Sequence, residues 1–217
     1  METTTPHQTY YAIGDIHGNY DKLDTLLNII GEDKSAIFVF LGDYIDRGPQ
    51  SKDVVERLIK FSKNHTCIFL KGNHEALLEL IHLKGEPMDQ EALMLWIMNG
   101  GDETCKSYNG CKNIYKLHST FFQTLKLYYE TPNFIFVHAG LKRGIPLKEQ
   151  TEEDLLWIRD QFIINPTDYP DKIVIYGHTI TDMCVSPYPD KIGVDTGAGW
   201  GGQLSALKLP EKQFIKI

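Results

Sequence analysis

Three short segments rich in Gly, Asp and His each directly follow a run of apolar residues. They are residues 14–18 (GDIHG), residues 42–48 (GDYIDRG) and residues 72–75 (GNHE). Carboxylate, amide and imidazole groups are ligands for divalent metals, and an arginine in the second segment could hold a phosphate. Two ions that share a bridging carboxylate need such ligands in one crevice. The three segments therefore predict an enzyme that hydrolyses phosphoesters.

Alternating strands and helices must position these segments. Apolar runs predict buried strands at residues 10–14, 36–41 and 67–70. The stretches between and after them have helical periodicity, at residues 19–30, 51–61 and 73–83. This alternation predicts a parallel sheet with right-handed crossovers.

The rest of the chain follows a different pattern. Turn residues and two amphipathic stretches predict a helical insertion around residues 84–125 over the sheet edge. Because we recognise no helices between the later strands, their sheet is expected to be mixed or antiparallel. We predict an α/β fold with a two-sheet β-sandwich flanked by helices (α-β-β-α), in a single domain over residues 1–217. The later strands are predicted at residues 127–130, 133–137, 172–176, 192–195 and 204–209.

Five predicted strand ends carry residues of the type that binds metals. In open α/β sheets, ligands gather at the carboxyl ends of the strands. Taken singly, a strand-end Asp is more often a helix N-cap and a strand-end His more often a hydrogen-bonded structural residue. Five together at one end of the sheet favour a metal site. The residues are Asp15 and His17, Asp43, Asn73 with His74, His138 and His178.

These segments resemble the signatures of a known family. GDIHG, GDYIDRG and GNHE are similar to the three motifs of the phosphoprotein phosphatase branch of the calcineurin-like metallophosphoesterases. Residues 137–140 (VHAG) and 176–179 (YGHT) resemble its remaining metal-histidine segments. Residues 96–101 (WIMNGG) and 156–159 (LWIR) are similar to the bacterial and phage lambda phosphatase type. The resemblance covers residues 10–209.

The resemblance implies two divalent metal ions per chain, with manganese the first choice and iron or zinc possible, since imidazole and carboxylate ligands suit these ions. Asp43 would bridge the two ions. The first ion would be bound by Asp15, His17 and Asp43, and the second by Asp43, Asn73, His138 and His178.

The resemblance also implies catalytic roles. His74 would be the general acid that protonates the leaving group, and Asp46 would orient its ring. Arg47 and Arg159 would hold the phosphate, because guanidinium groups match phosphate oxygens. A solvated helix face is the competing explanation for Arg159. Two further substrate-binding candidates are Arg143 and Asn99.

Bulk composition limits the partners and the location. The net charge of −7 disfavours a nucleic-acid partner, which needs a basic face. No apolar run approaches membrane-spanning length and residues 1–8 lack an apolar signal segment, so we expect no membrane association and a cytoplasmic location. The four cysteines are expected to be reduced thiols, and a bond between Cys105 and Cys111 is the alternative.

Three functions remain open from the sequence. The first is a serine/threonine protein phosphatase, possible also on tyrosine, whose partner is a phosphorylated protein or peptide. Asp46 favours it, because symmetrical bis(5'-nucleosyl)-tetraphosphatases, the second candidate, typically lack an Asp there. The third is a non-catalytic module that binds phosphoproteins. The sequence does not indicate an oligomeric state.

Overall fold

The computed structural model describes residues 8–83, 90–181 and 186–217, and in these residues the strands form two sheets. Most of the strands are short runs rich in β-branched and aromatic residues, the types that fit a buried pleated surface. In chain order, the strands are β1 (Tyr10–Ile13), β2 (Ile37–Phe40), β3 (Thr66–Phe69), β4 (Tyr128–Glu130), β5 (Phe134–Val137), β6 (Ile173–Tyr176), β7 (Lys191–Gly193), β8 (Ser205–Leu209) and β9 (Gln213–Lys216).

The helices lie mainly in the first two thirds of the chain. No helix in the described ranges is long and apolar enough to cross a membrane. The helices are α1 (Tyr20–Ile30), α2 (Ser51–Ser62), α3 (Asn73–Leu83), α4 (Gln90–Trp96), α5 (Asp102–Ser107), α6 (Lys112–Gln123), α7 (Glu152–Trp157) and α8 (Asp160–Ile163), with a π-helical turn at Ile97–Gly101 and 3₁₀ turns at Leu147–Glu149 and Ala198–Trp200.

Both sheets are mixed. The first has the order β3-β2-β1-β8-β9, with β1, β2 and β3 parallel, as predicted, and with β8 and β9 antiparallel to their neighbours. The second has the order β4-β5-β6-β7, with β4 antiparallel and the other three strands parallel. Each parallel set directs the carboxyl ends of its strands to one edge.

The two sheets pack face to face. Ala12 and Val39 of the first sheet lie in one buried cluster with Phe136 and Ile175 of the second. Successive side chains of a strand point to opposite faces, so the residues between them face outward toward the helices. The interior between the two sheets is therefore built mainly of apolar side chains.

Helices cover the outer face of each sheet. Ile13 lies in a buried cluster with Leu26 of α1 and Val55 of α2. On the other sheet, Ile135 lies in a cluster with Leu155 of α7. The layers are helix, sheet, sheet and helix, which confirms the predicted α/β sandwich.

The helical insertion, defined here as residues 90–123, contains α4, the π-helical turn, α5 and α6. It confirms the predicted helical character of residues 84–125, of which residues 84–89 lie outside the described residues. The turn between α4 and α5 depends on Gly100, whose φ of 94° lies in the left-handed region that favours glycine.

Some elements of the second half differ from expectation. No helix is predicted between β5 and β6, yet α7 and α8 lie there and form the crossover that makes these strands parallel. Both helices are too short for periodicity to identify them. Helix α5 and strand β9 are likewise absent from the prediction.

The prediction for Cys105 and Cys111 as reduced thiols is wrong. The structure joins them in a disulfide across a Cα–Cα distance of 4.4 Å. Residues 109–110 (NG) both have positive φ, and this turn brings the end of α5 back toward the start of α6. Cys67 is a free, half-buried thiol, and Cys184 lies outside the described residues.

Candidate active site

The carboxyl ends of the parallel strands bring seven polar side chains into one buried cluster. All of them are buried although each is polar or titratable. Such residues are retained in a protein interior when they pair with each other or bind metals. The members, as predicted, are Asp15 and His17 after β1, Asp43 after β2, Asn73 and His74 after β3, His138 after β5 and His178 after β6.

Asp43 lies at the centre of this cluster. Its Oδ2 lies 3.4 Å from His17 Nε2 and 3.9 Å from His74 Nε2. Its Oδ1 lies 3.6 Å from His138 Nε2. Two groups of three residues each offer possible ligand atoms that lie within 4.8 Å of one another inside the group. One group is His17, Asp43 and His74, and the other is Asp43, His138 and His178. Asp43 belongs to both groups, which is where a carboxylate that bridges two cations must lie.

Asp15 and Asn73 complete the cluster. Both carboxylate oxygens of Asp15 accept the backbone N–H of His178, at 3.1 Å. The Oδ1 atom of Asn73 lies 2.9 Å from His138 Nε2. These contacts connect the ends of the two sheets.

The histidine tautomers show that the cluster fits divalent cations. His17 Nδ1 donates to Ile45 O at 2.9 Å, and His138 Nδ1 donates to Leu41 O at 2.8 Å. The Nε2 atom of each neutral ring then carries a lone pair that points into the cluster: that of His138 faces Asn73 Oδ1, and that of His17 faces Arg47 Nη1. Among the described residues, His178 Nε2 is buried without any hydrogen-bond partner. Lone pairs that converge in this way are the donor set of a metal site.

Burial opposes charge on these groups. It raises the pKa values of Asp15 and Asp43 well above the usual range, with nearby carboxylates adding to the effect. It lowers the pKa of His17 and lowers that of His138 to about 3. The imidazoles are therefore neutral, the form that binds metal. Bound cations would compensate the buried carboxylates.

The backbone of the site is strained. Five residues of the site other than glycine have a positive φ, a conformation that costs about 1–3 kcal/mol each and occurs mainly at functional sites. They are His17 (48°), Asp43 (53°), Asp46 (71°), Arg47 (67°) and His178 (62°).

Glu75 fixes the loops that carry the cluster. Its carboxylate accepts the backbone N–H groups of Asp43 at 2.9 Å, Tyr44 at 2.9 Å and Gly72 at 3.0 Å. Its place in the first turn of α3 suggests only an interaction with the helix dipole, whereas the structure shows a brace between two loops. Gly72 is needed here because a Cβ atom would lie 2.1 Å from Asp43 Oδ1.

Asp46 and His74 form a buried pair. Asp46 Oδ2 and His74 Nδ1 are 2.8 Å apart, and both side chains are fully buried. Burial raises the pKa of Asp46 to about 7. Burial, with the charge of Arg47, lowers the pKa of His74 to about 3. Because the two groups share a hydrogen bond, the pair holds one additional proton below about pH 7 and loses it above.

The two predicted phosphate-binding arginines both contact the cluster. Arg47 Nη1 lies 2.7 Å from His17 Nε2, and its Nη2 lies 3.0 Å from His74 Nε2. The exposed indole of Trp200 stacks on this guanidinium, 4.6 Å from its central carbon. Arg159 Nη1 donates to His178 O at 3.0 Å.

The other two substrate-binding candidates make different contacts. Arg143 forms an exposed ion pair with Asp168 at 3.3 Å. Asn99 lies in the π-helical turn, where its Nδ2 donates to Leu95 O at 2.8 Å. Neither of these bonds involves a residue of the cluster, so a substrate role for Arg143 or Asn99 stays a prediction.

Two residues of the helical insertion contact the Asp46 carboxylate. Trp96 Nε1 donates to Oδ2 at 2.8 Å, and Thr104 Oγ1 donates to Oδ1 at 2.6 Å. From the sequence, Trp96 is expected to be a packing residue, and Thr104 carries no signal at all. Trp96 begins the WIMNGG segment, but neither that segment nor the position of Thr104 in the sequence reveals a contact with Asp46.

A two-sheet sandwich with Asp, Asn and His clustered at its strand ends defines a metallophosphoesterase. The chain belongs to the calcineurin-like phosphoesterase family, whose model matches residues 9–202. The chain is therefore a phosphoesterase, a hydrolase of a family that depends on two metal ions, and its Asp and His groups could bind such ions. The family match and the fold also confirm the resemblance to the phosphoprotein phosphatase branch.

Three known proteins illustrate the similarity. The chain is 26% identical to the asymmetrical bis(5'-nucleosyl)-tetraphosphatase PrpE of Oceanobacillus iheyensis, over 94% of this chain and 90% of the relative. It is 27% identical to serine/threonine-protein phosphatase 2 of Escherichia coli, over 92% of each chain. A crystal structure of a proposed diadenosine tetraphosphatase superposes with a TM-score of 0.69 at 23% identity, covering 100% of this chain and 95% of the other. This last similarity shows the fold alone.

Proposed function

We propose that the protein is a metal-dependent protein phosphatase that hydrolyses phosphomonoesters of serine and threonine. The observation that carries this proposal is the buried Asp46–His74 hydrogen bond. A serine or threonine leaves as a strongly basic alkoxide and needs a proton donor. When a dinucleoside tetraphosphate is hydrolysed, the leaving group is a nucleotide that departs through a phosphate oxygen. This oxygen is a much weaker base than an alkoxide and needs the proton less.

The cluster would hold two divalent cations, with manganese our first choice and iron or zinc the alternatives. Bound cations of this kind lower the pKa of water and neutralise phosphoryl oxygens. By distance, His74 groups with His17 and Asp43, whereas Asp15 contacts the backbone of His178. We retain Asp15 rather than His74 as a ligand of the first ion, because the His74 ring is hydrogen-bonded to Asp46. The first ion would be held by Asp15, His17 and Asp43, and the second by Asp43, Asn73, His138 and His178.

The remaining residues would orient the substrate and move a proton. His74 would donate its Nε2 proton to the leaving oxygen, while Asp46 holds Nδ1 and thereby sets the direction of the ring. Arg47 and Arg159 carry the positive charge at the two sides of the cluster, and their guanidinium groups would hold phosphate oxygens. Water is excluded from the pair because Asp46 and His74 are fully buried.

A groove beside the cluster supports a peptide substrate. It has a volume of about 630 Å³ and begins at Trp157, whose ring lies 6.2 Å from that of His178. Its acidic residues would attract a basic peptide and repel a polyphosphate, although Lys71 neutralises part of their charge. The lining combines apolar Ala76, Leu80, Leu95, Leu156 and Trp157 with acidic Glu79, Glu152 and Glu153.

Hydrolysis of dinucleoside tetraphosphates is the second candidate. It is favoured by the similarity to the tetraphosphatase of Oceanobacillus iheyensis along almost the whole chain. The same cluster could act on a phosphoanhydride, because the cations would neutralise either substrate. The candidates differ in the leaving group and in the surface beyond the phosphate.

One comparison separates the candidates. The manganese-loaded enzyme is assayed on phosphoserine peptides with basic flanking residues and on diadenosine tetraphosphate. We expect the larger kcat/KM for the peptides. We also expect His74→Asn to abolish almost all peptide turnover while manganese still binds. A preference of several orders of magnitude for the dinucleotide would reject the phosphatase proposal, and wild-type turnover by His74→Asn would remove His74 from the mechanism.

A further inference from the structure

We propose that Thr104 and Trp96 are positioning residues that hold the Asp46 carboxylate, and through it the His74 ring, in the orientation needed for proton transfer. The inference rests on the proposed role of His74 as the proton donor. It assigns part of the active site to the helical insertion rather than to the sandwich.

The contacts account for both oxygens of the carboxylate. Oδ2 of Asp46 accepts His74 Nδ1–H and Trp96 Nε1–H, each at 2.8 Å. Oδ1 accepts the Thr104 hydroxyl at 2.6 Å. All four side chains are fully buried, so water is not available to replace a missing donor. The carboxylate plane is therefore fixed by protein groups alone.

Thr104 also holds the backbone of Asp46. Its Oγ1 accepts Asp46 N–H at 2.9 Å, and Ser51 Oγ accepts the same N–H at 3.1 Å. This matters because Asp46 has a φ of 71°, a strained conformation for a residue with a Cβ atom. One threonine hydroxyl thus fixes both the position of the main chain and the direction of the carboxylate.

The neighbouring residue is held by the same insertion. Arg47 N donates to Gly100 O at 3.2 Å, and a Cβ atom on Gly100 would lie 2.5 Å from Arg47 N. The π-helical turn and α5 therefore press against the loop that carries Asp46 and Arg47. Loss of the Trp96 or Thr104 hydrogen-bond donor would therefore change the orientation of Asp46 and His74 without removing a proposed metal ligand.

Dependence on the leaving group tests the proposal. Aryl phosphates with leaving groups of increasing basicity, from 2,4-dinitrophenyl to phenyl phosphate, are assayed on the manganese-loaded enzyme. We expect Thr104→Val and Trp96→Phe to lower kcat for phenyl phosphate about tenfold to a hundredfold, since general acid catalysis contributes at least that much. The kcat for the 2,4-dinitrophenyl ester should change little, because its leaving group needs no proton. The KM values for both esters should stay unchanged.

Two variants serve as controls. Thr104→Ser keeps the hydroxyl and should restore the wild-type ratio of the two rates. Thr131→Val removes another buried hydroxyl, which bonds Phe134 away from the cluster, and should lower stability without changing that ratio. If Thr104→Val does not fold, the ratio of the rates for the two esters can still be compared between Trp96→Phe and Thr104→Ser.

The outcomes separate this proposal from the proposed function. Equal losses for both esters in Trp96→Phe and Thr104→Val, or no loss in either variant, would overturn the positioning role. If His74→Asn itself keeps the wild-type ratio, the role of His74 as the acid fails first. A change of the ratio in His74→Asn and in both insertion variants supports the two together.

Discussion

Arg47 Nη1 lies 2.7 Å from His17 Nε2, the atom through which His17 would bind a cation. The guanidinium and a divalent ion would therefore compete for this nitrogen atom. Since the same guanidinium also contacts His74 Nε2 at 3.0 Å, it occupies the space between a proposed ligand and the proposed acid. Binding of the first cation must displace Arg47 toward the mouth of the site, where it could meet a phosphate.

Removing Arg47 should separate metal binding from catalysis. We expect Arg47→Ala to bind manganese at least as tightly as wild type in titration calorimetry, because a competing cation is lost. We expect kcat/KM for a phosphopeptide to fall about tenfold to a hundredfold, the value of one or two charge-assisted hydrogen bonds. The control Arg57→Ala removes a guanidinium that pairs with Asp24 away from the cluster, and it should change neither quantity. Manganese binding that is tenfold weaker in Arg47→Ala would contradict this account.

The Asp46–His74 pair should give activity a descending limb at alkaline pH. A raised carboxyl pKa means that the proton is held below that value and lost above it, and here it is about 7. For phenyl phosphate we therefore expect kcat to fall as the pH rises above about 7. The measurement is a pH profile of kcat at saturating manganese. His74→Asn should flatten the limb, and a limb that persists unchanged in this variant would assign it to another group.

The Cys105–Cys111 disulfide should stabilise the helical insertion. The bond closes a short loop with a sequence separation of 6, for which the entropy of loop closure gives about 2 kcal/mol. In urea titrations, we expect the free energy of unfolding of the double variant Cys105→Ser/Cys111→Ser to be lower by that amount. Cys67→Ser, which replaces a thiol outside this bond, serves as the control. A double variant as stable as the wild type in the absence of reductant would show that the bond contributes nothing.

Gly72→Ala should disrupt the cluster directly. A Cβ atom would lie 2.1 Å from Asp43 Oδ1 and 2.4 Å from Asp43 N, so the bridging carboxylate would have to move. We expect manganese binding to weaken at least about tenfold, as for perturbed ligand shells. Gly144→Ala is the control: it has a positive φ but open space around it, so it should lower stability slightly and leave manganese binding intact. Equal metal affinity in both variants would refute the steric argument.

The sequence predicted that these polar side chains come together because the signal for this is local. Asp15, Asp43 and Asn73 each follow an apolar strand within a few residues, and parallel strands bring such ends together. The contacts of Asp46 could not be predicted in this way, because Trp96 and Thr104 lie 50 and 58 residues further along the chain. Their positions depend on how the helical insertion packs, which no spacing rule describes.

Short elements limited the prediction of the fold. Helices α7 and α8 have 6 and 4 residues, too few to show a periodic apolar face. Their omission suggested a more antiparallel second sheet than the structure has. The assignment of Cys105 and Cys111 as thiols rested on general expectations for cysteines in such a chain, and these do not describe a turn that brings two particular residues together.

The brace formed by Glu75 has a consequence for how the site acquires its ions. One carboxylate ties the amides of Asp43, Tyr44 and Gly72, so hydrogen bonds within the protein hold these loops beside the cluster. Exchange of one metal for another then requires only side-chain rearrangement, not refolding. We expect dialysis to be enough to replace manganese with iron or zinc, so the ion that works in the cell would be set by supply rather than by assembly of the chain.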